Sequence, residues 1–143
     1  MPEVNRSVLV SYKPEQMFAL VDDVERYPEF LPWCGSASVS ARDEARTRAT
    51  IQINYRGIKQ SFTTENTKRA PTEMTIRLVE GPFRELDGQW RFIGLGEQGC
   101  KVEFGLRYEF SSRLFARLLG PVFEFIANSL VEAFTKRAEQ LYG

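Results

Sequence analysis

The side chains best suited to do chemistry in this sequence are aromatic. Eleven phenylalanines, five tyrosines and two tryptophans make up 13% of the chain, and several recur at alternate positions. Trp90 and Phe92 share one parity. Cys100, Val102, Phe104, Leu106, Tyr108 and Phe110 share another, opposite Lys101, Glu103, Arg107 and Glu109. Two readings of such faces stay open. They build an ordinary core, or they wall a cavity for an apolar ligand, where a few placed polar groups set its orientation. Gln60, Thr64 and Asn66, on the parity of Phe62, and Arg6, on that of Val4 and Val8, are the polar candidates. In a sealed core such groups are costly.

Other chemistries are excluded by composition. With no histidine, the chain lacks the commonest general base and metal ligand, so Ser-His pairs, Cys-His pairs and His-based metal sites cannot form. Cys34 and Cys100 make no Cys-x-x-Cys motif and read as buried free thiols. Glu103 and Glu109 fall on the outward parity, and Asp22, Asp23 and Glu25 sit at a helix end. No two acids therefore meet on an apolar face for acid–base work. No glycine-rich phosphate loop is present. A non-catalytic protein without metal or cofactor is expected.

Nineteen basic residues balance nineteen acidic ones, which argues against a DNA-binding or general nucleic-acid coat protein. A local basic set, Arg42, Arg46, Arg48, Arg56 and Lys59, is either a solvated face or a contact for a phosphate backbone such as ribosomal RNA. No apolar run approaches the ~18 residues of a membrane span. The opening Met1-Pro2-Glu3-Val4 does not read as a signal peptide. A cytoplasmic location with no integral membrane segment follows, with transient membrane contact left open.

The elements that must position these residues follow from periodicity. Residues 3–12 alternate as a half-buried strand. Pro14 opens a short helix carrying Met17, Phe18, Leu20, Val21 and Val24. In Tyr27-Pro28-Glu29-Phe30-Leu31-Pro32-Trp33 the prolines exclude a long regular element, so the segment is either a binding rim or a plug over the sheet. Strand patterns follow over 36–42, 46–55, 58–67, 73–79, 83–93 and 99–110, with Asp87-Gly88 expected as a turn or bulge. Residues 112–142 are helical, with a stripe of Leu119, Val122, Phe123, Ile126, Leu130, Phe134, Ala138 and Leu141. Gly120-Pro121 is expected to split off a short turn and leave a main helix of about 21 residues, roughly 30 Å long. Leu114, Leu118 and Phe125 fall off the stripe and either meet the 27–33 segment or face a ligand or partner. The order predicts one α+β domain over residues 1–143: a curved antiparallel sheet of about six to seven strands wrapped around a long C-terminal helix, with two short helices after strand one.

The string Tyr27-Pro-Glu-Phe-Leu-Pro-Trp-Cys34 resembles the signature of the coenzyme Q-binding, START-like family, within the polyketide cyclase/dehydrase and lipid transport superfamily. Gly81-Pro82-Phe83-Arg84 with Leu86, Gly88, Trp90 and Phe92 is similar to its central hairpin. Tyr108-Glu109-Phe110-Ser111-Ser112, followed by Phe134, Arg137-Ala138 and Leu141-Tyr142-Gly143, is similar to its last strand and helix. The resemblance implies a helix-grip fold with a hydrophobic cavity that binds ubiquinone or a related isoprenoid lipid in support of respiration. It implies that Phe62, Trp90, Phe92, Phe104, Tyr108, Phe110, Phe123, Ile126 and Leu130 line the cavity, with Tyr27, Pro28, Phe30, Leu31, Pro32 and Trp33 at its mouth and Arg6, Gln60 and Thr64 as inward polar groups. It also implies a rival role, a toxin that binds the large ribosomal subunit and blocks subunit joining, for which Arg46, Arg48, Arg56 and Lys59 would be the contacts. A cyclase- or dehydrase-like activity ranks third, because this chain has no histidine to serve it.

Overall fold

A computed structural model describes residues 2–143; Met1, part of the leader reading above, lies outside the described residues. The chain runs β1 (Glu3–Val10), α1 (Pro14–Asp22), a 3-10 helix (Val24–Glu29), β2 (Cys34–Arg42), β3 (Arg46–Tyr55), β4 (Ile58–Arg69), β5 (Glu73–Glu80), β6 (Phe83–Leu95), β7 (Gly99–Phe110) and α2 (Arg113–Tyr142). The strands form one sheet in the order β1-β7-β6-β5-β4-β3-β2, with every pair antiparallel. This is the expected helix-grip arrangement of a curved sheet around a long terminal helix.

Alternation sends one face of each strand inward. On β7 the inner row Cys100, Val102, Phe104, Leu106, Tyr108 and Phe110 is buried throughout. Register shifts in β2, in the β4–β5 pairing and at Phe83/Glu85 of β6 bend the sheet, as extra residues in one strand do. Asp87-Gly88, expected as a turn or bulge, instead lies in regular pairing within β6, opposite Arg107 and Leu106. A Cβ at position 88 would stand 3.1 Å from Leu106 Cδ1, so the glycine serves close strand approach rather than chain reversal.

The expected break at Gly120-Pro121 is also corrected: α2 runs unbroken for 30 residues, about 45 Å. Pro121 removes one helical hydrogen bond, at about 3 kcal/mol. Leu119 and Phe123 on either side are both buried in the core, and their shared packing keeps the two halves in line. By length and composition α2 could cross a membrane. Here its inner face, from Leu119 to Ala138, is the floor of the core.

Arg42 of β2 ties the 3-10 helix to the sheet, donating to both Glu25 carboxylate oxygens at 2.8 and 3.0 Å and to the Asp22 carbonyl at 3.0 Å. Hydrogen bonding from Arg42 holds Glu25 below its ordinary value near 4.5. A carboxylate with a lowered folded pKa contributes stability above its ordinary pKa and loses it as pH falls through the folded value. Glu25→Gln is therefore expected to flatten the acid limb of the melting temperature against pH while changing neutral-pH stability by under about 1 kcal/mol, as is usual for exposed pairs. An unchanged acid limb would refute the linkage.

An apolar cavity as candidate functional site

α2 packs closest to β1, β7 and α1, and a cavity of about 80 Å³ lies where it spans the rest of the sheet. Its walls are Ala49 and Ile51 of β3, Phe62, Thr64 and Asn66 of β4, Met74 and Ile76 of β5, Leu86 and Trp90 of β6, and Phe104 and Leu106 of β7. Val21, Val24, Tyr27 and Trp33 close one end, and Phe123, Ile126, Ala127, Leu130 and Phe134 of α2 form the floor. Both tryptophans of the chain are in this wall. The volume is roughly half that of the ~150 Å³ engineered cavity that takes up benzene.

Of the residues expected at the cavity, Phe62, Trp90, Phe104, Phe123, Ile126 and Leu130 line it. Phe92, Tyr108 and Phe110 do not. Phe92 lies beneath α1, edge-on to Phe18 at 5.7 Å. Tyr108 and Phe110 join Phe83 in a cluster of rings behind Phe123 of the cavity floor, with Tyr108–Phe123 centroids 4.7 Å apart and Phe83–Phe110 5.0 Å apart. There β7 and α2 are close-packed, so the rings interlock and leave no room for a guest.

The 27–33 segment is a plug rather than a rim. Tyr27 and Trp33 line the cavity from inside, and Leu31 is fully buried. Pro28, Phe30 and Pro32 lie outside the cavity; Phe30 and Pro32 border an outer groove with Tyr55, Phe125 and Ala133. The Tyr27 hydroxyl donates to the Val21 carbonyl, and its ring meets Phe134 edge-on at 5.4 Å. Burial raises the Tyr27 pKa far above its ordinary range. Arg137 covers Phe30 at 5.0 Å and bonds Glu29 at 2.8 Å, pinning the plug to α2. Burial also pushes the Cys34 thiol up to about 11, so it is an unreactive thiol at neutral pH.

Among the inward polar candidates, Thr64 and Asn66 line the cavity, whereas Gln60 is half-buried and does not. Arg6 is exposed at the sheet edge, where its guanidinium bonds Asn128 Oδ1 at 2.6 and 3.1 Å. On edge strand β1 the inner parity reaches the flank of α2 and not the cavity. Sequence reasoning missed Thr47 and Lys68. Both are buried, and Lys68 Nζ bonds the Asp22 carboxylate at 3.2 and 3.4 Å. The signal was present, since Lys68 extends the inner row Phe62, Thr64, Asn66 by one step.

The basic set does not gather into one patch. Arg42 is paired with Glu25, and Arg48 with Glu65 at 3.2 Å. Arg46 begins β3, while Arg56 and Lys59 sit at its far end, about 30 Å away along the strand. Arg56 lies over Tyr55 at 5.3 Å, and Tyr55 stacks on Phe125 at 5.7 Å and 10°. Leu114 and Leu118 stay 61% and 54% exposed.

A family profile described as polyketide cyclase / dehydrase and lipid transport matches residues 10–135. The chain belongs to this family. The ribosome association toxin RatA of Vibrio cholerae is 45% identical over 143 residues, covering 100% of this chain and 99% of that protein. The mitochondrial coenzyme Q-binding protein COQ10 homolog B of Xenopus laevis is 28% identical over 145 residues, covering 99% of this chain and 59% of that protein. The Zhui aromatase/cyclase of Streptomyces sp. R1128 superposes with a TM-score of 0.83, covering 97% of this chain and 94% of that one; at 14% identity it shows the shared fold alone. Within this lipid transport and cyclase family, the described cavity wall of the present chain has a single titratable side chain, Tyr27, whose hydroxyl is already committed to the Val21 carbonyl.

Proposed function

We propose that this protein is a non-catalytic carrier of an apolar ligand, with ubiquinone or a related isoprenoid lipid as the guest, acting in the cytoplasm in support of respiration. The observation that carries the reading is the cavity wall: almost wholly apolar, aromatic-rich, and without a free acid or base. Such a wall binds by burial, at about 25 cal/mol per Å² of apolar surface. It offers no group for a cyclase or dehydrase step, which leaves that reading third. The similarity to a coenzyme Q-binding protein points the same way. At about 80 Å³ the cavity seats about one small hydrocarbon group. A longer tail requires α2 to part from β3 and β4, where Ile51, Phe62 and Leu130 are only half-buried and the Tyr55–Phe125 stack bridges the gap.

Because Trp33 and Trp90 both face the guest, a short-tailed ubiquinone such as decylubiquinone is expected to quench tryptophan fluorescence saturably. At a hundredfold excess over Kd it should add about 2.7 kcal/mol, a rise of roughly 5–10 °C in melting temperature. No quenching and no rise would overturn the reading.

A second reading, association with the large ribosomal subunit, is favoured by the end-to-end 45% identity to the RatA protein. It assigns the contact to Arg46, Arg56 and Lys59, which make no ion pair among the described residues. Co-sedimentation with the large subunit at low salt, lost in a protein carrying Arg56→Glu and Lys59→Glu, is its expected result. Co-sedimentation that survives the reversal counts against that contact.

A further inference from the structure

The inner face of β4 is graded. It begins apolar at Phe62, turns polar at Thr64 and Asn66, and ends at the Lys68–Asp22 ion pair. Asn66 is 6% exposed and lines the cavity. The Thr64 hydroxyl donates to its Oδ1 at 2.9 Å, which fixes the carboxamide so that Nδ2 is the free end. Among the described residues nothing accepts from that Nδ2. Directly across the strand pair stands Thr47, 1% exposed, whose hydroxyl is also without a partner. A buried hydroxyl without a partner, beside a cavity-lining carboxamide whose donor end is free, calls for a physical explanation. Besides Thr64 and Asn66, the described wall offers polar side-chain atoms only from Tyr27, Trp33 and Trp90.

The structure assigns to Asn66, oriented by Thr64, the role of hydrogen-bond donor to an acceptor oxygen on the guest. The guest is then an amphiphile with a carbonyl- or ether-bearing head at Asn66 and a hydrocarbon part lying toward Phe62, Phe123 and Leu130. This rests on the cavity reading above and adds to it an orientation and a ligand class: a purely hydrocarbon guest would leave Asn66 unsatisfied, which is how such a site discriminates.

The test compares decylubiquinone with decylbenzene, which has a similar tail and no acceptor, by titration calorimetry. The expected result is that the wild type prefers the quinone about tenfold, that Asn66→Leu erases this preference while binding decylbenzene within about twofold of wild type, and that Thr64→Val, which frees the carboxamide to rotate, loses about threefold toward the quinone alone. The carbonyl stretch of the bound quinone should also sit at lower wavenumber in the wild type than in Asn66→Leu, a difference a purely structural role would not produce. Equal affinity of the wild type for both probes, or a parallel loss of both in Asn66→Leu, overturns the assignment and leaves the cavity reading intact. A wild type that binds neither probe overturns both.

Discussion

Trp90→Ala is expected to lower the free energy of unfolding by about 3–5 kcal/mol, the range for deleting a large buried aromatic. Trp90 is 2% exposed. Its ring meets Phe104 at 4.5 Å, Phe134 at 5.3 Å and Phe92 at 6.1 Å. It therefore joins β6, β7 and α2 at one point, and an alanine leaves three aromatic neighbours facing a void. Against a total stability of about 5–15 kcal/mol for a domain, this loss approaches the folding threshold. Urea unfolding followed by far-ultraviolet circular dichroism checks it: the midpoint should fall with little change in slope. A loss below about 1 kcal/mol would mean that the site collapses around the deletion and that the wall is soft where the structure shows it packed.

Ala49→Leu is expected to act in the opposite sense on stability and to abolish ligand uptake. Ala49 is 1% exposed on β3 and lines the cavity. A leucine adds three carbon atoms to a void of about 80 Å³. Filling a real cavity commonly adds about 0.5–2 kcal/mol, whereas forcing the same atoms into a close-packed core costs about 1–3 kcal/mol. The sign of the stability change therefore reports on the void itself. A raised melting temperature together with at least a tenfold weaker decylubiquinone affinity is the expected pair of results. A lowered melting temperature with unchanged affinity would place the guest elsewhere.

Much of the fold was legible because its signals are local and periodic. The alternation from Cys100 to Phe110 and the stripe from Leu119 to Ala138 specify a strand and a helix wherever they occur. Gly120-Pro121 misled because a proline's local penalty was outweighed by burial of Leu119 and Phe123, which depends on the distant sheet. Asp87-Gly88 misled because the need for glycine came from Leu106 on a neighbouring strand. At the site, parity correctly brought Trp90, Phe104 and Phe62 to the inner face. It could not separate them from Phe92, Tyr108 and Phe110, because whether an inward ring fills a core or faces a void depends on how far α2 stands off at that strand. Arg6 shows the same limit at the sheet edge. Lys68 shows the converse, an inward charge that is permissible only because α1 brings Asp22 to meet it.

The central claim is that the void between the bent sheet and α2 holds an apolar guest. The most direct measurement is native mass spectrometry of the protein purified without detergent from its own source, followed by organic extraction and identification of what is released. The account predicts a one-to-one complex with an isoprenoid or similar amphiphilic lipid, absent from the Ala49→Leu protein. Bare protein mass for the wild type, or the same lipid carried equally by Ala49→Leu, would contradict it.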